Sequence, residues 1–185
     1  LEKYQAILFD FDGVLCKDHF YTNLISQYPE VYDYIQDTIF WGSNDLCHRW
    51  MKNELTMQDI NKYISENTDI NYEILVDYFE QSIKEMKIDL RLINLAKIFK
   101  KQGKKIAIVT NNMDVFSQIT VPHNGFDILF DVVINSADYA LLKQEQDGKL
   151  FDIALKQIWI PDFGSCLLID DSAKVRTVFE SRGGD

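Results

Sequence analysis

The chain has 185 residues, 46% hydrophobic and 26% charged, which excludes a disordered chain and fits one domain or a core domain with an insert. A formal net charge of −10 excludes a general nucleic-acid binder, because no basic surplus is there to displace counterions. Any anionic ligand must then be met by local positive charge from a metal, a lysine or backbone N–H groups.

No apolar run approaches the ~20 residues of a membrane span, so no membrane partner is expected. Cys16, Cys47 and Cys166 are too few and too scattered for a disulfide framework, and a reducing, cytoplasmic setting is the expectation. His19, His48 and His123 have no zinc-ligand spacing with those cysteines, so no structural zinc is expected. The first residues lead straight into an apolar run without a signal peptide. Leu1 in place of Met, and the stop at Gly183-Gly184-Asp185, read as trimmed ends of a longer protein. A monomer is the default expectation.

In chain order, the first predicted strand is Ala6–Phe9. It is uninterrupted rather than alternating, as a strand buried on both faces must be. It ends in Asp10-Phe11-Asp12-Gly13. Two carboxylates at i and i+2 can reach one cation or substrate, and the glycine lets the backbone approach closely. One carboxylate can attack phosphorus while the other exchanges protons. Taken alone, the motif is better explained by an ordinary Asp-rich turn.

From about Cys16 to Met86 there is no strand-like run, and helix signals dominate. Thr56 and Asp59 resemble a capping box, with Leu55 and Ile60 placed as a staple. Ile74, Leu75, Tyr78, Phe79 and Ile83 form a stripe at helical spacing. Asp89 can cap a further helix carrying Leu92, Ile93, Ala96 and Phe99, closed by Lys100-Lys101-Gln102-Gly103.

Three more continuous apolar runs follow: Ile106–Val109, Val132–Ile134 and Leu167–Ile169. Helical patterns between them fit the crossovers of a parallel sheet, making the fold α/β. Each run ends on polar residues: Thr110 with Asn111 and Asn112, Asn135 with Ser136, and Asp170 with Asp171. Sites in open parallel sheets form at the carboxyl ends of strands, so these residues can converge. A hydroxyl, side-chain amides and free N–H groups at Thr110 suit a phosphate, although Thr and Asn also serve as helix caps. Lys143, with Lys149 as its rival, can supply the missing positive charge. Adjacent carboxylates at Asp170 and Asp171 call for a cation between them and their neighbours, or for a helix cap in which Ser172 shares.

Together these residues resemble the haloacid dehalogenase superfamily. Asp10-Phe11-Asp12-Gly13-Val14-Leu15 matches its first motif, Ile108-Val109-Thr110-Asn111 its second and Leu168-Ile169-Asp170-Asp171-Ser172 its fourth. Ser136-Ala137-Asp138-Tyr139-Ala140-Leu141-Leu142-Lys143 resembles the approach to the third-motif lysine, which favours Lys143 over Lys149. Gln144-Glu145-Gln146 departs from the Lys-Pro that often follows.

The resemblance implies a Rossmann-like core over 1–15 and 88–185 with a helical cap over 16–87. It implies Asp10 as nucleophile and Asp12 as general acid/base. Mg²⁺ would be held by Asp10, the backbone carbonyl of Asp12, Asp171 and Asp170, and phosphate by Thr110, Asn111 and Lys143. Asp12 favours phosphoryl chemistry over dehalogenation, and Val14 stands where the protein-phosphatase branch shows Thr. The expectation is a phosphatase acting on a small phosphorylated metabolite. The alternatives are a phosphosugar mutase of the same superfamily or a catalytically inactive binding domain. His19, Tyr21, Trp41, Asn44, His48 and Arg49 are cap residues that can face the crevice or serve as cap surface and core, and Trp41-Gly42-Ser43-Asn44 reads as a specificity loop. Hinges are expected near Cys16–Lys17 and Lys87–Asp89.

Overall fold

The computed structural model describes residues 2–42 and 45–185. Among them, four parallel strands form one sheet: β1 (Ala6–Phe9), β2 (Lys105–Thr110), β3 (Val132–Asn135) and β4 (Cys166–Ile169), in the order β3-β2-β1-β4. All four predicted runs are strands, lengthened at one or both ends except for β1. Helices α1 (Pro29–Ile35), α2 (Leu46–Met51), α3 (Met57–Asn67), α4 (Tyr72–Lys84) and α5 (Leu90–Lys101) lie between β1 and β2. Next come α6 (Val121–Asn124) and α7 (Phe126–Leu129) before β3, α8 (Ser136–Tyr139) and α9 (Lys149–Gln157) before β4, and α10 (Ala173–Ser181) after it.

Both faces of the sheet are covered, which is why the strands read as continuous apolar runs. Ile7, Phe9, Ile106 and Ile108 enter one apolar cluster with Ile93, Ala96 and Phe99 of α5. Their neighbours Ala6, Leu8, Ala107 and Val109 enter a second with Leu150, Phe151 and Ala154 of α9 and Val175 and Phe179 of α10. The fold is thus α/β, a parallel sheet between two helical layers.

The segment after β1 is helical, as its patterns require. Thr56 Oγ1 accepts from Asp59 N (3.2 Å) and Asp59 Oδ2 accepts from Thr56 N (2.8 Å), completing the capping box at α3. Leu75, Phe79 and Ile83 are buried on α4, whereas Ile74 falls off the stripe and is exposed. Asp89 accepts from Arg91 N (2.9 Å) and caps α5. Tyr21 stacks on Phe79 (4.4 Å between centroids), and Phe20 and Trp50 pack on the same ring. Such ring pairs add about 0.5–1.5 kcal/mol each beyond burial.

The chain enters and leaves this segment at one place. Cys16 bridges Ile88, Asp89 N donates to Leu15 O (2.8 Å) and Lys87 N donates to Asp18 Oδ2 (2.8 Å). Those are the positions where hinges were expected. The segment is seated on the sheet's apolar face, since Trp50, Ile60 and Phe79 share one cluster with Phe9, Phe11 and Phe116. Its register there is set by Asp114, buried just past β2. Asp114 Oδ1 accepts from Trp50 Nε1 (2.7 Å) and Oδ2 from Met57 N (3.0 Å), the first residue of α3, where the helix dipole also favours an anion.

Asp114→Ala removes the acceptor of three buried donors, Trp50 Nε1, Met57 N and Val115 N. It is expected to lower unfolding stability by about 2–4 kcal/mol, read from the denaturant midpoint.

Candidate active site

Parallel register brings the strand ends level. Phe9 lies opposite both Ile108 and Ile169, so the residues that follow, Asp10 and Asp170, emerge side by side. Thr110 is paired with Asn135 at the other edge. One carboxylate oxygen from each of Asp10, Asp170 and Asp171 lies within 4.8 Å of the others. Asp10 and Asp170 are buried, and Asp171 is exposed at the crevice.

Lys143 reaches into this cluster from the loop after α8. Its Nζ lies 2.6 Å from Asp10 Oδ2 and 2.6 Å from Asp170 Oδ2, with 1% exposure. Lys149, its rival, is exposed at the start of α9. The divergent residues after Lys143 build a tight loop in which Gln146, Asp147 and Gly148 all have positive φ. Glu145 closes that loop by accepting from Leu142 N (3.0 Å).

The other expected site residues divide. Thr110 is fully buried. Its hydroxyl makes a minor hydrogen-bonding contribution to the Asp10 carboxylate, and its oxygen has no well-formed partner. The Asn111 side chain is committed elsewhere: Oδ1 accepts from Lys143 N (2.7 Å) and Nδ2 donates to Gln144 Oε1 (3.0 Å). It shapes the lysine loop. Tyr21 belongs to the interior of the helical segment, with its hydroxyl donating to Asn61 Oδ1 (3.1 Å). Ser43 and Asn44 of the expected specificity loop lie outside the described residues, and Trp41 beside them is exposed.

Electrostatics set the acids apart. Burial pushes the Asp10 carboxyl up to about 6, with Lys143 pulling it down and Asp170 raising it. Burial is again the main cause at Asp12, raised to about 7, with Asp10 adding repulsion, Lys143 opposing and Asp171 adding to the rise. Asp12 is half-buried, and its Oδ2 accepts from Asn112 Nδ2 (3.0 Å). A carboxyl poised near neutrality suits general acid/base work, and one held against a lysine suits nucleophilic attack. Gly13 is required by contact as well as by its φ of 73°, since a Cβ there would lie 2.1 Å from Asp171 Oδ2.

The donor set fits a hard divalent cation. Asp10, Asp12, Asp170 and Asp171 stand against the single ammonium of Lys143, and their oxygens are the ligand type that Mg²⁺ takes. The Asp12 carboxylate lies outside the cluster of ligand oxygens.

A crevice of about 340 Å³ adjoins the lysine loop, lined by His48, Arg49 and Lys52 from around α2, by Leu142, Gln144 and Glu145, and by Lys174 of α10. Lys52 Nζ meets Glu145 Oε1 at 3.3 Å across it. Three larger hollows have volumes of about 650, 540 and 490 Å³, and neither they nor this crevice is lined by Asp10, Asp12, Asp170 or Asp171. Sequence reasoning missed Asp114 and the place of Lys52 in the crevice wall, neither of which had a signal beyond residue type. Asn112 was grouped with Thr110 and Asn111 as a phosphate amide, whereas its side chain holds Asp12.

The family profile of haloacid dehalogenase-like hydrolases matches residues 4–174. The pyrimidine 5′-nucleotidase YjjG of Escherichia coli (strain K12) is 31% identical over 70 residues, which are 38% of this chain and only 30% of that protein. Among solved structures, a HAD family enzyme of Bacteroides thetaiotaomicron, in complex with magnesium and inorganic phosphate, superposes with a TM-score of 0.72. Its identity is 16%, over 98% of this chain and 92% of that one. The L-2-haloacid dehalogenase of Xanthobacter autotrophicus, with chloropropionic acid covalently bound, gives 0.68 at 15% identity, over 98% and 75%. Both likenesses are of fold.

Linkage makes the Asp12 environment measurable. Its folded pKa of about 7 lies above the unfolded value of about 4, so the folded chain holds a proton that the unfolded chain releases. Stability from this group is therefore full at low pH and lost as pH rises from about 4 to about 7. Asp12→Asn escapes that loss. In chelator, it is expected to exceed the parent by on the order of 1–3 kcal/mol at pH 8 and to match it near pH 4, by denaturant unfolding at both values.

Proposed function

The chain belongs to the haloacid dehalogenase-like hydrolases, and on that premise we propose that it is a magnesium-dependent phosphatase that hydrolyses a small phosphorylated metabolite through an aspartyl-phosphate on Asp10. The observation that carries this reading is the second carboxylate. Asp12, two residues beyond the lysine-paired Asp10, is raised to about 7 and hydrogen-bonded in place. A phosphate ester needs such a group, because its alkoxide must take a proton on leaving.

In this reading an Asp10 oxygen attacks phosphorus, the bond to the leaving oxygen breaks, and that oxygen takes the proton of Asp12. Asp12 then accepts a proton from water, whose oxygen attacks phosphorus and breaks the bond to Asp10. The products are the alcohol, inorganic phosphate and the original carboxylate. Asp10, Asp170 and Asp171, with the Asp12 carbonyl, would hold Mg²⁺, which neutralises phosphoryl charge when bound. Lys143 holds Asp10 aimed and ionised, and its charge faces the incoming oxygens. The buried Thr110 hydroxyl and the Asn111 backbone complete the phosphate contacts.

The cap, residues 16–87, closes over the site about the paired crossings at Cys16 and Ile88. In this reading the leaving alcohol extends toward the crevice that adjoins the lysine loop, whose charged lining supports a small polar substrate. The E. coli relative is named for pyrimidine nucleotides, so nucleoside monophosphates belong in the same substrate panel as phosphosugars and phosphorylated acids.

Asp10→Asn is expected to abolish both phosphate release and the acid-stable phosphoenzyme. Asp12→Asn should slow release on the order of 10²–10⁴-fold while retaining Mg²⁺ binding. Phosphate release with and without Mg²⁺ tests both, and metal-independent turnover would refute the reading. Gly13→Ala must displace Asp171 and is expected to weaken Mg²⁺ affinity about 10–100-fold by calorimetry.

A further inference from the structure

Asn112 is wholly buried. Its amide has one orientation. Met113 N donates to Oδ1 (2.9 Å), which leaves Nδ2 to donate to Asp12 Oδ2 (3.0 Å). Asn112 N in turn donates to Ser136 Oγ (3.0 Å). That hydroxyl has a single proton, and its shorter contact is to the carbonyl of Met51 (2.7 Å), the last residue of α2. The competing acceptor, Asn112 O, lies at 3.1 Å. A continuous path therefore runs from α2 through Ser136 and Asn112 to the carboxylate of Asp12.

We propose that Asn112 is the positioning residue for Asp12, and that Ser136 ties this positioning to the seating of the cap. The inference rests on the acid/base role given to Asp12 above. A carboxylate has two oxygens, and an amide proton on Oδ2 leaves Oδ1 to exchange protons with the leaving oxygen and with water. Swinging Asp12 away would strand a buried donor, so its rotamer is held. The Asn112 backbone is held by Ser136, and Ser136 spends its proton on Met51 only while α2 is seated. Asp12 is thereby aimed when the cap is down, the state in which leaving-group protonation is wanted. Neutral Asn suits the task, since a basic residue would pair with Asp12 and hold it ionised.

The test separates proton delivery from folding. Asn112→Ala and the isosteric Asn112→Asp are compared with the parent and with Asp12→Asn, in Mg²⁺, on an alkyl phosphate and on p-nitrophenyl phosphate, whose leaving group needs no proton. For both Asn112 variants kcat on the alkyl phosphate is expected to fall about 10–100-fold with little change in KM. The single-turnover rate of phosphoenzyme formation from the aryl phosphate should change less than about threefold. Ser136→Ala should show the same leaving-group pattern at smaller size. Equal losses on both substrates, or a change in KM alone, overturn the proposal. If Asp12→Asn loses alkyl turnover and the Asn112 variants do not, positioning by Asn112 is wrong and the role of Asp12 stands. If Asp12→Asn loses nothing, the acid/base reading itself is wrong. Crystal structures of the variants give a readout independent of substrate: Asp12 in a single unchanged rotamer would also overturn the proposal, and a displaced or split carboxylate is expected.

Discussion

Lys143 is the residue on which the strand ends depend. Its ammonium sits 2.6 Å from a carboxylate oxygen of Asp10 and from one of Asp170, almost without exposure. Burying two carboxylates side by side is costly unless a cation compensates them, and removing that cation would leave both uncompensated. Lys143 also ties three strands at once. Its backbone N–H is held by Asn111 beyond β2, while its Nζ holds the residues that follow β1 and β4. One ammonium against four carboxylates still leaves the site negative. That imbalance gives the crevice its fit for a divalent cation, and it helps keep Asp12 near neutrality.

The four residues after β2 distribute that geometry outward. Asn111 shapes the lysine loop, Asn112 holds Asp12, and Met113 O accepts from buried Asn135 (2.8 Å). Asp114 receives the indole of Trp50 and the first amide of α3. Apolar burial alone would let the helical segment slide over the sheet, because the hydrophobic effect has no direction. Hydrogen bonds to a fixed turn do have direction, so they set where the helical segment sits. The hold on Asp12 and the hold on the helical segment are therefore built from the same short turn.

Much of this was legible in the sequence for local reasons. A strand buried on both faces must read as an unbroken apolar run, and Ala6–Phe9 did so to the residue. Thr56 with Asp59, and Asp89 ahead of Leu90, are caps whose partners lie within three residues, so they could be read directly. The short turns of helix at Ser136–Tyr139 and Val121–Asn124 were not legible, because four residues carry no period. Ile74 was misplaced at the edge of its stripe for a related reason: periodicity finds a face but not its exposed margin. Tyr21 showed polar character in the sequence and turned out to be cap interior, satisfied by Asn61.

What the sequence determined by itself was the chemistry at four strand ends: Asp10 with Asp12, Thr110, Lys143, and Asp170 with Asp171. Each is a polar residue closing, or shortly following, an apolar run, which is a pattern of neighbours along the chain. What only the tertiary structure decided was which of these groups touch. Asn112 and Asp12 are 100 residues apart, Trp50 and Asp114 are 64 apart, and Lys143 and Asp170 are 27 apart. No local period encodes such pairs. They follow from strand register and from the seating of one helical segment on one sheet face, and they convert a list of acids into a lysine-compensated carboxylate, Asp10, beside one held by an amide, Asp12.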